Sequence, residues 1–204
     1  MHRGKAMAVR AEDGGGRRGS GWRIAVWGTA AFLLLVPLVA MQFTDEVNWD
    51  VTDFAVVGAM LAVACGTYEL AARMTGNRAY RAAVGVAIAA AFILVWMIPA
   101  VGVLGVEGDP ADLMYIGVLA VGIIGAIIAR FQPRGMALAL FATALAQALV
   151  AVIALIAGMH RASYSSVPEI LGLNGIFVAL FVGSAWLFRK AAREQPHAGA
   201  GPEG

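Results

Sequence analysis

Six long apolar segments constrain the fold of this chain more than any other feature of its sequence. They cover approximately residues 22–43, 54–73, 82–105, 113–131, 136–158 and 169–188. A helix needs about 20 mostly apolar residues to cross a hydrocarbon core about 30 Å thick, and each segment comes close to that length. With 60% hydrophobic and 14% charged residues, the chain also lies outside the range of ordinary soluble domains. The sequence therefore predicts an all-α, polytopic transmembrane helical bundle with six spans, arranged as three consecutive hairpins.

The positive charges predict the orientation of these spans. Of the 15 Lys and Arg residues, 14 lie in the N-terminal tail, the second and fourth connections and the C-terminal tail or at the span ends that border them, whereas Arg161 lies in an opposite connection. Connections rich in Lys and Arg stay on the cytoplasmic side, so both termini are expected in the cytoplasm. Aromatic residues at the span ends agree with this orientation, with Tyr80 near the inner boundary and Tyr115 near the outer one.

The same pattern predicts the domain organisation. Residues 1–21 form a basic, Gly-rich segment that is expected to be a disordered cytoplasmic tail, residues 22–190 form the six-helix transmembrane domain, and residues 191–204 form a second disordered tail. The basic residues lack interleaved aromatics on which nucleic-acid bases stack, so anionic lipid headgroups are their expected partner and nucleic acid is not.

The returning helix of each predicted hairpin has an acid near its start and a base near its end. The three pairs are Asp53 with Arg73, Asp112 with Arg130, and Glu169 with Arg189. Such pairs complement the helix dipole and satisfy the orientation rule, so independent selection explains them. A triplicated ancestral hairpin is the second interpretation, and the sequence leaves both open.

Glu69 is the acidic residue whose position in a predicted span needs an explanation. It precedes Arg73 by four residues, which is a favourable order and spacing for an ion pair on a helix. At about 1.5 Å per residue it lies only about 6 Å from that arginine along the helix axis, near the cytoplasmic interface. The first hypothesis is that Glu69 anchors the span by pairing with Arg73, Arg78 or Arg81. Its position on a face with small residues leaves a second hypothesis open, in which the carboxylate carries a proton or cation.

Two amides are further candidate polar side chains within the predicted spans. Gln147 lies 11 residues into the fifth predicted span, and Asn174 lies a short way into the sixth. Such amides usually form hydrogen bonds between helices, each contributing about 1 kcal/mol. A solute path lined by the two amides is the alternative. Glu69, Arg73, Gln147 and Asn174 are thus the candidate polar contacts within the membrane.

Residue patterns for catalysis and metal binding do not occur in the sequence. The single cysteine, Cys65, excludes a multi-thiolate metal site. His2, His160 and His197 all lie in predicted tails or connections, so paired ligands for an intramembrane haem are missing. No phosphate-binding glycine loop, zinc pattern or nucleophile motif occurs. We therefore predict no catalytic, cofactor-binding or metal-binding residue and no cofactor.

Three runs of the sequence resemble a known group of proteins. They are "PLVAMQFTDEVNWDVTDF", "YELAAR" and "IIGAIIARFQPRGMALALFATALAQALVAVIALI", and the resemblance covers roughly residues 36–156. The chain is similar there to a widespread group of small bacterial integral membrane proteins without an assigned function. The resemblance implies a multi-pass protein of the bacterial inner membrane and implies no catalytic or binding residue.

Two functional hypotheses follow from the sequence. The first is a non-enzymatic structural or accessory membrane component that forms a homo-oligomer or binds a membrane-protein partner. The second is a small proton-coupled or cation transporter or channel that uses Glu69 as its protonatable group, with Gln147 and Asn174 along the path.

Overall fold

The structure is a computed structural model that describes residues 3–100, 113–158 and 166–195, and within the first of these ranges it describes the side chains of residues 21–98. Across these ranges the secondary structure consists of six α-helices and no β-strand. The helices are α1 (Arg3–Ala40), α2 (Val51–Met74), α3 (Arg78–Ala100), α4 (Met114–Ile128), α5 (Pro133–Ile156) and α6 (Val167–Glu194). The predicted all-α class is confirmed for the described residues.

Five helical segments are long and apolar enough to cross a membrane, judged by length and composition. They are Gly21–Ala40, Val51–Met74, Arg78–Ile98, Pro133–Ile156 and Val167–Glu194. Each overlaps one of the predicted spans. This number of apolar helices supports a multi-pass membrane protein.

The fourth predicted span corresponds to the shortest helix. α4 has 15 residues, all of them uncharged. At about 1.5 Å per residue its length is about 22 Å, which is less than the hydrocarbon thickness of about 30 Å. Six spans in three hairpins therefore stay a prediction, with five helices of sufficient length and one shorter apolar helix.

Local hydrogen bonds explain where several helices begin. At the start of α2, the Asp50 and Asp53 carboxylates each accept the other residue's backbone N–H at 2.9 Å. At the start of α6, Glu169 Oε2 accepts the backbone N–H of Ser166 at 2.7 Å. Such caps satisfy backbone donors that have no partner within the helix and contribute about 1 kcal/mol each. Asp53 and Glu169, two of the acids in the possible hairpin repeat, thus have local capping roles. Asp112, the third, lies outside the described residues.

The chain divides into two compact units, Met1–Leu70 and Ala71–Gly204. In the first unit, α1 and the part of α2 up to Leu70 run antiparallel. Trp22 contacts Tyr68 edge-on at 5.7 Å between ring centroids, and a Cβ placed at Gly58 would lie 3.8 Å from the Leu34 side chain. Bulky side chains rather than close backbones therefore join the two helices.

The second unit contains α3, α4, α5 and α6. α6 packs against both α3 and α5, and α4 packs against α5, so the helices form the series α3, α6, α5, α4. Among the described residues, α3 therefore packs extensively against α6. It does not pack extensively against α4, which follows it along the chain. The large buried side chains of this unit come from several helices and include Leu94, Tyr115, Phe177 and Phe188.

Several predictions concern residues that the structure does not describe, and the predicted domain boundaries differ from the ends of the helices. α1 begins at Arg3 and includes the backbone of most of the segment predicted to be a tail. Residues 196–204, the connection containing Arg161, and all three histidines lie outside the described residues. The division into residues 1–21, 22–190 and 191–204 therefore stays a prediction.

Candidate functional site

Glu69 forms an ion pair and a hydrogen bond with residues of α1. Its Oε1 lies 2.9 Å from Nε of Arg23, and its Oε2 accepts a hydrogen bond from Nε1 of Trp27 at 3.0 Å. Arg23 and Trp27 are four residues apart, so both extend from one face of α1 toward the carboxylate. Both oxygens of Glu69 therefore have partners within the first unit.

The two members of this ion pair differ in their exposure. Glu69 is buried, with 8% of its surface exposed, whereas the Arg23 side chain is 51% exposed. One turn before Glu69, the thiol of Cys65 lies 3.9 Å from the backbone carbonyl of Val26 and donates to it. A buried carboxylate requires a compensating charge and hydrogen-bond donors, and Arg23 and Trp27 supply both. The half-exposed guanidinium keeps access to the aqueous interface.

Arg73, the partner that the sequence suggests for Glu69, lies exposed in the last turn of α2. The predicted ion pair between Glu69 and Arg73 stays a prediction. The sequence did not identify Arg23 and Trp27 as partners, because Arg23 was counted only among the basic residues that predict the orientation of the spans. Their spacing of four residues on a helix adjacent in sequence is the signal that could have identified them.

The second unit has a buried polar cluster that joins three helices. Oδ1 of Asn174 on α6 accepts hydrogen bonds from the Tyr115 hydroxyl of α4 at 3.0 Å and from Nε2 of Gln147 on α5 at 2.9 Å. Nδ2 of Asn174 donates to the carbonyl of Ile170 at 2.8 Å. Tyr115, Gln147 and Asn174 are at most 1% exposed. The structure therefore brings the two predicted amides together.

Tyr115 is the member of this cluster that sequence analysis placed elsewhere. Its position near the predicted outer end of a span suggested a residue at the membrane interface, but its side chain is fully buried. An aromatic residue at a helix end can face either lipid headgroups or a neighbouring helix, and the sequence does not distinguish these surroundings.

One atom of the cluster lacks a hydrogen bond. Oε1 of Gln147 is buried and has no partner among the described residues. A buried carbonyl oxygen without a donor costs about 1–3 kcal/mol relative to one that is paired. The amide of Gln147 is thus half satisfied, in contrast to that of Asn174.

Other polar side chains of the second unit also join helices or turns. The Tyr80 hydroxyl of α3 donates to the carbonyl of Phe131 at 2.7 Å, and the Ser184 hydroxyl of α6 donates to the carbonyl of Ala83 at 2.8 Å. Phe131 has a φ of 58°, in the left-handed region, so Tyr80 holds a turn whose backbone is strained. These two contacts fix the positions of α3 and α6.

Metal binding has no candidate in the part of the chain that the structure describes. No group of three or more His, Cys, Asp or Glu side chains converges there. The buried polar contacts of the described residues include the ion pair of Glu69 with Arg23 and the hydrogen bonds around Asn174.

No model of a known protein family, no curated protein and no solved structure matches this chain. Its function therefore has to be inferred from the geometry of its own residues.

Proposed function

We propose that the chain is an integral protein of the bacterial inner membrane that acts as a non-enzymatic structural or accessory component. It crosses the membrane six times in three hairpins, with both termini in the cytoplasm, and belongs to the group of small bacterial membrane proteins that its sequence resembles. The distribution of Lys and Arg and the apolar helices support this arrangement. Anionic headgroups bind its cytoplasmic basic residues, and a second copy or another membrane protein is its partner.

One observation supports a structural role above the others. Charged and amide side chains within the candidate spans bind other helices of the same unit, as Glu69 binds Arg23 and Asn174 binds Tyr115 and Gln147. Helices in a bilayer associate through close packing and through such polar contacts, because lipid tails are as apolar as the helices themselves. Polar groups committed to fixed partners stabilise a bundle and are poorly suited to binding a solute that must leave again.

A small proton-coupled or cation transporter is the second candidate. It is favoured by the burial of the Glu69 carboxylate within a candidate span, since ionisable residues at such positions mark ion pathways in many membrane proteins. The unpaired Oε1 of Gln147 offers an acceptor to a solute in the other unit.

Solute flux in liposomes separates the two candidates. The purified wild-type protein, Glu69→Gln and the matched control Glu46→Gln, an exposed acid in the α1–α2 connection, are reconstituted at equal density. We expect no pH-driven proton or monovalent-cation flux above empty liposomes for any of them. Flux through the wild type and the control that Glu69→Gln abolishes would overturn the structural proposal.

A structural role also predicts that loss of these contacts lowers the amount of folded protein in the membrane. Arg23→Gln removes the ion pair between Arg23 and the buried Glu69 carboxylate, whereas Glu69→Gln leaves a half-exposed guanidinium that reaches water. Arg23→Gln should therefore lower the yield of folded protein more than Glu69→Gln does. The double variant should recover much of this loss, because it removes both charges.

A further inference from the structure

Three arginines surround an open groove between α5 and α6 at one end of the second unit. Arg134 contributes from the first turn of α5, and Arg189 and Arg193 contribute from the last turns of α6. Arg189 and Arg193 are four residues apart and therefore lie on the same face of α6. The groove has a volume of about 410 Å³ and is open along one side.

The charge of this groove is uncompensated in the part of the chain that the structure describes. No carboxylate there forms an ion pair with Arg134, Arg189 or Arg193. The guanidinium of Arg189 lies 5.7 Å from the centroid of the Phe141 ring, a cation–π contact that orients the side chain without neutralising it. Three exposed guanidinium groups with no anionic partner form a site for a ligand with a phosphate group.

An apolar wall continues from the arginines along α5. Leu138 and Phe141 line the same groove as Arg134 and lie four and seven residues after it, on the same helix face. At about 1.5 Å per residue they lie about 6 and 10 Å farther along the helix axis, toward the centre of the candidate span. Leu138 is 72% exposed, so the wall is open to a ligand.

A second groove is lined by two of these arginines. It has a volume of about 310 Å³ and is lined by Trp186 and Lys190 together with Arg189 and Arg193. Trp186 is 62% exposed, and tryptophan at a span end lies at the level of lipid headgroups in membrane proteins. The cationic end of the unit is thus bordered by a residue typical of the membrane interface.

From this geometry we propose a specific site for one anionic glycerophospholipid in the groove between α5 and α6. Its headgroup phosphate binds Arg134, Arg189 and Arg193, and one acyl chain lies along Leu138 and Phe141. Basic pockets between transmembrane helices on the cytoplasmic side bind acidic phospholipids by this combination of charge and apolar contact. The site rests on the proposed membrane setting, in which this end of the unit faces the cytoplasm. A soluble phosphate compound would use the arginines and leave the apolar wall unoccupied.

Native mass spectrometry of the purified full-length protein tests this site. Phosphatidylglycerol is titrated against the wild type, Arg134→Gln/Arg189→Gln and the control Arg78→Gln/Arg130→Gln, which removes two exposed arginines of the same unit that do not line the groove. We expect the first double variant to bind a single phosphatidylglycerol about 30-fold more weakly, and the control to bind it within about threefold of wild type. Equal weakening in both double variants would reduce the site to general charge attraction and overturn the proposal.

Two further measurements distinguish a lipid from a soluble anion. Leu138→Trp narrows the apolar wall and keeps every arginine, so it should weaken phosphatidylglycerol binding, and millimolar inorganic phosphate should not displace the lipid. Unchanged binding by Leu138→Trp, or displacement by inorganic phosphate, would contradict a lipid site. The two proposals can fail separately. Solute flux in liposomes would overturn the structural role and leave the lipid titration unchanged, whereas loss of specific lipid binding would overturn the lipid site alone.

Discussion

Both polar atoms of the Asn174 side chain have hydrogen-bond partners, whereas one polar atom of its neighbour Gln147 has none. Oδ1 of Asn174 accepts two hydrogen bonds from other helices, and Nδ2 donates to the carbonyl one turn earlier on its own helix. Because Nδ2 of Asn174 donates to the carbonyl of Ile170, its Oδ1 is the atom that faces Tyr115 and Gln147. Gln147 contributes one donor to this cluster and buries an unpaired oxygen. The two amides are therefore expected to differ in their contribution to stability.

Replacement of each amide by leucine tests this difference. Asn174→Leu removes the acceptor that Tyr115 and Gln147 share, and we expect it to lower the free energy of unfolding by about 1–2 kcal/mol, given that hydrogen bonds between membrane helices average about 0.6 kcal/mol. Gln147→Leu removes one such bond and also the unpaired oxygen, so its loss should be less than about 0.5 kcal/mol. Unfolding of the purified protein in mixed micelles by increasing SDS measures both values. Equal losses would contradict the assigned pattern of hydrogen bonds.

At this scale the sequence predicted positions better than partners. It identified Glu69, Gln147 and Asn174 because charged and amide groups are rare in apolar segments, and the structure places all three in buried positions. It did not identify Arg23 as a partner of Glu69 or Tyr115 as a partner of Asn174. Which side chains meet depends on the rotation of each helix about its axis, and small residues on several faces leave that rotation undetermined in the sequence.

At the scale of helices, α4 and α5 approach each other closely at two glycines of α4. A Cβ placed at Gly125 would lie 2.7 Å from the Cβ of Ala139, and one at Gly122 would lie 3.1 Å from the Thr143 hydroxyl. Real Cβ atoms do not approach each other to 2.7 Å, so glycine is required at position 125 for this packing. Contact between small residues is the usual means by which membrane helices associate closely.

Two Gly→Ala substitutions in α4 should therefore differ in their effect on stability. Gly125→Ala forces α4 and α5 apart and should lower the free energy of unfolding by about 1–3 kcal/mol. Gly117→Ala is the matched control, because no atom lies within 4 Å of its added Cβ. Alanine favours a helix over glycine by up to about 1 kcal/mol, so the control should be neutral or stabilising. The same SDS titration measures both variants, and a destabilising effect of similar size in both would contradict the close approach.

The helices themselves were predictable from hydrophobicity, and their packing order was not. Each of the six apolar segments corresponds to one helix, since a run of about 20 apolar residues in a bilayer has to satisfy its backbone hydrogen bonds internally. The series α3, α6, α5, α4 does not follow from chain order. The sequence predicts that neighbours along the chain pack as hairpins. An Ala-rich helix such as α5 can bury several of its faces, and the sequence does not determine which helix packs against each face.

At the scale of the whole molecule, the number of crossings determines on which side of the membrane the C-terminus lies. Five helices reach the length of a span, and α4 is shorter. If all six cross, both termini lie on the same side of the membrane, which we propose is the cytoplasmic side. If α4 does not cross, α6 has the opposite direction in the membrane, and the basic groove faces outward.

Single-cysteine labelling of intact cells tests this topology. In a Cys65→Ala background, cysteine is introduced singly by Glu46→Cys before α2, by Gly76→Cys before α3 and by Gln195→Cys after α6. A membrane-impermeant thiol reagent should label the position 46 variant in intact cells, and the position 76 and 195 variants only after lysis. Labelling of position 195 but not position 76 from outside would show that α4 does not cross and would contradict the six-span arrangement.

The shortness of α4 has a consequence for the surrounding lipid. Its 15 residues leave a hydrophobic mismatch of about 8 Å against a core about 30 Å thick. A bilayer accommodates a short hydrophobic surface by thinning locally, at a fraction of a kcal/mol per ångström. In the proposed membrane, α4 would therefore be bordered by a thinner annulus than the longer helices. Shorter acyl chains would be enriched beside it, and a second copy of the protein placed against α4 would reduce the deformed area.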